Sequence, residues 1–228
     1  ARLGVADGRL YFGMPLLEGG SLQQRLARSG PRPWREVAGL GLLLARALER
    51  CHAGGLVHRD VKPANVIRRA TDGVIKVVDF GLAKYENEAS TLTETGYALG
   101  TSYYVAPEVI EGAKADARSD LFAVGVSMFE TLTGRRPFPG VVPYQIFKRI
   151  VSGPTPDATQ FRAGLSPGLL AVLNRLLERD PATRYQRGSE VERDLKAWLE
   201  SEEGHAAQVT ASEGAPAAFD PRPDDTRM

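Results

Sequence analysis

The stretch 116–133, reading DARSDLFAVGVSMFETLT, constrains this chain more than any other. Its apolar residues run almost without interruption, so a helix formed there has no polar face to turn to water and must be buried all round. At 228 residues the chain can surround it with one sizeable core, or with one large and one very small domain. Further helices are predicted where Leu, Val and Ala recur at helical spacing. They cover 34–53, stopped by Gly54-Gly55, then 143–152, and 167–179 and 189–201, the last two each opened by a serine. A short helix follows the break at Gly19-Gly20, with Ser21 as its N-cap and its end near Arg28. Strands are expected at 10–17, entered by the turn Asp7-Gly8, and at 2–6 before it. Residues 66–67 and 74–78 read as short apolar strands flanking the turn Thr71-Asp72-Gly73.

Composition removes several functions. A formal net charge of +1 gives no reason to expect nucleic acid or an anionic membrane as partner. The single cysteine, Cys51, rules out an internal disulfide and fits a reducing, cytoplasmic compartment; inside a helical run it reads as a small buried hydrophobe. The most apolar run, 37–48, is too short to span a bilayer and contains Arg46. From about Glu203 the composition turns to Ala, Pro, Gly and charge, which cannot build a core, so 203–228 is expected to be a disordered tail or a juxtamembrane linker.

Three motifs carry chemistry. His58-Arg59-Asp60-Val61-Lys62-Pro63-Ala64-Asn65 is followed, after one apolar hairpin, by Asp79-Phe80-Gly81 and then by Ala106-Pro107-Glu108. Phosphoryl transfer asks a protein to hold groups in line and to neutralise charge on the moving phosphoryl. Asp60 is suited to accept a proton from a substrate hydroxyl and orient it, and Lys62 to reach a terminal phosphate. Asn65 and Asp79 offer the hard oxygen ligands that Mg²⁺ prefers. Taken alone the first motif is a polar turn after a helix. In this order and spacing the three resemble the catalytic core of a eukaryotic-type (Hanks-type) serine/threonine protein kinase of bacterial kind, over residues 3–199.

The resemblance implies an α+β, protein-kinase-like fold with a mostly helical large lobe. Residues 1–20 would be a β-hairpin remnant of the small lobe and the hinge, 21–202 the large lobe, and 203–228 the tail. It implies ATP and Mg²⁺ as cofactors and a protein with a Ser or Thr acceptor as substrate. Asp60, Lys62, Asn65 and Thr101 would be catalytic, with Asn65 and Asp79 on the metal. Met14 would be the gatekeeper, Pro15 and Leu17 the hinge positions facing adenine, and Ser21 and Ile67 further nucleotide neighbours, Ile67 under the ring. His58 would pack and hydrogen-bond, Asp120 would accept backbone hydrogen bonds from the catalytic loop, and Glu108 would pair with Arg184. Residues 82–104, rich in Ser and Thr, stand where an activation loop belongs, and a phosphate on Thr91, Thr93 or Thr95 would pair with Arg59.

One departure is large. The family begins with a Gly-rich loop, a strand lysine and a helix glutamate, and this chain has no lysine before Lys62. The chain as given is therefore expected to bind ATP weakly and not to transfer phosphate at a useful rate. Leu10, Phe12, Met14 and Leu16 would form an exposed, association-prone edge. A pseudokinase, a binding module that kept the scaffold, is the alternative reading. A small-molecule phosphotransferase is a weaker one, because relatives of that kind lack the Lys62 position and the Ala106-Pro107-Glu108 segment.

Overall fold

A computed structural model of the chain describes residues 2–6, 9–13, 16–80, 99–154 and 156–201. The expected positions Met14, Pro15, Gly81, Thr91, Thr93 and Thr95, and the tail, lie outside the described residues. The architecture is α+β and mostly helical, as expected. Strands β1 (Arg2–Ala6) and β2 (Arg9–Gly13) form an antiparallel hairpin of their own. A second antiparallel sheet has the order β3-β4-β5, from Gly19–Ser21, Val66–Arg69 and Ile75–Val77. Strand β3 was not legible in the sequence. Gly19-Gly20 reads as a break, yet Gly19, at φ +138°, comes so close to Arg68 that any side chain would strike its carbonyl oxygen.

The helices are α1 (Leu22–Ser29), α2 (Trp34–Ala53), α3 (Leu99–Ser102) and α4 (Pro107–Ile110), followed by α5 (Ala117–Thr133), α6 (Pro143–Ser152), α7 (Pro167–Leu176) and α8 (Gly188–Glu200). Every residue from Ser119 to Thr133 on α5 is buried, as its apolar run requires. Helix α5 packs against α2 and α7, and α2 also against α8. Gly125 makes the α5–α7 approach possible, since a Cβ there would stand 2.8 Å from the Leu176 Cβ. Most polar side chains of this buried helix are engaged: Thr131 Oγ1 donates to Ser127 O at 2.6 Å and Thr133 Oγ1 to Phe129 O at 2.8 Å, while Ser119, Asp120 and Glu130 reach into neighbouring segments. The exception is Ser127, whose buried hydroxyl has no hydrogen-bond partner among the described residues.

Caps decide where the helices start. Ser21 Oγ accepts from the Gln24 amide and the Gln24 side chain accepts from the Ser21 amide, the reciprocal pair expected of Ser21 as N-cap. Asp116 caps α5, which frees Asp120, one turn further in, for another task. Helix α8 differs from expectation: Ser189 is not its cap. The helix begins at Gly188, and the Ser189 amide donates across to Glu49 Oε2 at 3.2 Å.

Candidate active site

Asp60 lies in the loop between α2 and β4. That loop has no regular ladder of its own, so its shape comes from Asp120. One carboxylate oxygen of Asp120 accepts from the His58 amide and the other from the Arg59 amide, both at 2.8 Å, and His52 Nε2 sits 2.8 Å from Oδ2. Asp120 is 2 % exposed, so each of these charge-assisted bonds works in a poorly solvated place. The Arg59 backbone passes through the left-handed region, at φ +65°, to keep both amides on that carboxylate.

His58 joins this loop to the segment containing Asp79. Its Nδ1 accepts from the Asp60 amide at 3.3 Å, so Nε2 carries the proton donated to Val78 O at 3.1 Å. The ring packs against Phe80 in a tilted arrangement, centroids 4.4 Å apart. The histidine is thereby occupied on both nitrogens in packing and positioning, as expected.

At the centre, the Lys62 Nζ lies 2.8 Å from Asp60 Oδ2 and donates to Thr101 Oγ1 at 3.0 Å. Asn65 Nδ2 donates to the same Asp60 Oδ2 and to Asp60 O, each at 2.9 Å. Two donors on one oxygen set the rotation of the Asp60 carboxylate. Because both Asn65 bonds use Nδ2, its Oδ1 is turned away from Asp60 as an acceptor. The hairpin brings Asp79 beside it: Val66 is paired with Val77, and the Val78 amide donates to Asn65 O at 2.9 Å. Asp79 then turns out of the strand in a left-handed conformation, φ +58°, with an exposed side chain.

The remaining expected residues sit one layer away. Ser21 and Ile67 are cross-strand partners in the β3–β4 pair, and Leu17 precedes β3 by one residue, Glu18. The Ser21 hydroxyl is used by its own helix cap. Leu16 is 89 % exposed.

Below the loop, Arg184 donates from Nη1 and Nη2 to the two oxygens of Glu108 at 2.9 and 3.0 Å. Its other donors go to the carbonyls of Glu178, Arg118 and Arg179, which explains how a guanidinium only 1 % exposed is tolerated. Ser119 Oγ donates to the same Glu108 at 2.9 Å. A second buried carboxylate was not read from the sequence: Glu130 accepts from the Tyr104 hydroxyl at 2.5 Å, with Arg136 Nε at 3.5 Å. Burial pushes the Glu130 carboxyl above the ordinary range, against the opposing pull of Tyr104 and Arg136. Neither Glu130 nor His52 belongs to a local motif, and both become visible only when α5 meets segments far away in sequence.

Comparison with known proteins gives the family. Residues 4–194 match the family model described as the protein kinase domain. The chain is 37% identical over 205 residues to a probable serine/threonine-protein kinase PknB of Corynebacterium glutamicum, covering 87% of this chain and 31% of that protein. It is 36% identical over 186 residues to PknB of Mycobacterium leprae, covering 81% of this chain and 30% of that protein. With serine/threonine-protein kinase PknL of Mycobacterium tuberculosis it shares 38% over 195 residues, 85% of this chain and 48% of the other. The chain thus spans between about a third and a half of the length of these relatives.

Proposed function

Since the chain belongs to the protein kinase domain family, we propose that it is catalytic machinery for moving the terminal phosphoryl of ATP to a Ser or Thr hydroxyl of a protein. The observation that carries this reading is the cluster of Asp60, Lys62, Asn65 and Thr101, held together at 2.8–3.0 Å and set beside the turn at Asp79.

Asp60, its rotation held by Lys62 and Asn65, receives the hydroxyl proton and aims the oxygen. Lys62, tethered between Asp60 and Thr101, supplies a fixed positive charge beside the path of the phosphoryl group. The Oδ1 of Asn65 and the exposed carboxylate of Asp79 are hard oxygen donors of the type that hold Mg²⁺. When bound, Mg²⁺ neutralises charge on the phosphate oxygens. We assign Leu17, Ser21 and Ile67 to the nucleotide side of the site, and, by the family resemblance alone, Met14 and Pro15. An intact set of Asp60, Asn65 and Asp79 favours transfer over a pure binding role.

The complete gene product carrying Asp60→Asn should lose transfer from labelled ATP by orders of magnitude while melting at the parental temperature. Transfer at the parental rate would remove Asp60 from the mechanism.

A further inference from the structure

On the reverse side of the sheet, α1, α2 and the β4–β5 hairpin enclose an open groove of about 460 Å³. Its α2 wall is one helical stripe, Glu36, Gly39, Leu40 and Leu43, at i, i+3, i+4 and i+7. Val66 and Ile75 extend the apolar floor. Leu43 is 43 % exposed, while Leu40, one turn before it on the same stripe, is buried.

Two features of the groove are unexplained by the packing of the described residues. The first is Gly39. It costs α2 about 1 kcal/mol relative to alanine, yet a Cβ there would have nothing within 4 Å. Two residues on, Gly41 is required, because its Cβ would lie 2.5 Å from Met128 Sδ. Gly39 keeps space open without serving the core. The second is charge. Arg25 and Arg32 share the single carboxylate of Glu36, at 2.9 and 2.8 Å, and exposed Arg68 has no carboxylate partner among the described residues. The rim therefore holds three guanidiniums against one acid.

The chain itself carries the complement. Residues 202–228 contain Glu202, Glu203, Glu213, Asp220, Asp224 and Asp225 against only Arg222 and Arg227, and one aromatic residue, Phe219. The segment starts from the same end of α2: Arg35 Nη1 donates to Leu199 O at 2.9 Å, on the flank of α2 that packs on α8 and about a quarter-turn around the helix from the groove stripe. At roughly 3.3 Å per residue, 202–218 reach every part of a wall that α2 extends over only about 10 Å. We infer that residues 219–225 dock in this groove in cis, Phe219 on the apolar floor and Asp220, Asp224 and Asp225 against Arg68 and the outer faces of Arg25 and Arg32.

A short tether places the segment at an effective concentration on the order of 1 mM, so an intrinsic dissociation constant of about 0.1 mM gives roughly ten-to-one occupancy. The docked segment bridges α1 and β4, touching Leu22, Val66 and Arg68, the sequence neighbours of Ser21 and Ile67. The inference stands on the groove and the tail composition and does not need the proposed phosphoryl transfer.

Hydrogen exchange measured by mass spectrometry on the 228-residue chain tests it. In the parent, amides of 219–225, of α1 and of β4 should exchange about tenfold more slowly than in Gly39→Leu, which fills the groove, or in Arg68→Glu, which reverses its charge. Phe219→Ala should release the same amides, and the melting temperature of Gly39→Leu should not fall. Exchange of 219–225 at the rate of an unprotected peptide in the parent would overturn the inference. So would protection that survives both groove variants. Protection that grows with protein concentration would assign the groove to a second copy of the chain and refute docking in cis.

Discussion

Asp79 and Arg59 are the non-glycine residues that adopt positive φ among the described residues, and both flank Asp60's surroundings. A left-handed backbone costs an ordinary L-residue about 1–2 kcal/mol, a strain that asparagine and aspartate tolerate best. Asp79→Val should lower stability by about that amount while Asp79→Gly should not, and both should lose Mg-nucleotide binding; thermal melts and nucleotide titration separate the two effects. Thr101 offers a second test. Its hydroxyl is a positioning group for Lys62, 3.0 Å away, and does not itself transfer a proton in the proposed reaction. Thr101→Val, which keeps the shape, should reduce the rate of transfer by about a hundredfold through misplacement of the ammonium, with protein-substrate KM little changed and partial recovery in Thr101→Ser.

The elements show how helix propensity yields to packing. Gly125 and Gly39 both sit inside helices, where glycine costs about 1 kcal/mol relative to alanine. Gly39→Ala should therefore raise stability by about that amount. Gly125→Ala should lower it, because the new methyl meets Leu176 Cβ at 2.8 Å and Leu177 Cδ2 at 3.2 Å, between two helices that cannot both move. Denaturant unfolding of the pair settles the comparison, and equal shifts would contradict it. Helix α5 also carries Glu130, whose carboxyl burial holds above the ordinary range. The native state then keeps a proton that the unfolded chain has released, so this residue's contribution falls as pH rises upward from about 4. Glu130→Gln should flatten that slope in urea melts run at rising pH from about 4; an unchanged slope would show that Arg136 and Tyr104 outweigh burial.

Across the whole molecule, the contacts that lock the site are long-range. Glu108 and Arg184 join segments 76 residues apart, and His58 and Asp120 segments 62 apart. Arg184→Met would strand Glu108 and leave three carbonyls without their donor, at a cost of about 3–5 kcal/mol, or a fall of roughly 6–20 °C in Tm. Removing both charges, as Glu108→Gln with Arg184→Met, should recover part of that loss. Were the single variant to melt at the parental temperature, the pair would be dispensable to the fold.

Much was legible without coordinates, and for local reasons. The 20-residue span of α2, the Ser21 cap and the burial of α5 follow from apolar spacing and from which side chains can satisfy a helix end. The cluster of Asp60, Lys62 and Asn65 was readable because those residues are near neighbours in one loop. Strand β3, the bond from Ser189 to Glu49, the His52–Asp120 contact and the Glu130–Tyr104–Arg136 group were not. Each depends on two segments meeting, and a glycine, a histidine or a glutamate has the same local pattern whether or not its partner is there. Asp120 marks the boundary: its place near the start of a helix is local, but which amides it holds was decided only when α5 packed beneath the loop that carries Asp60.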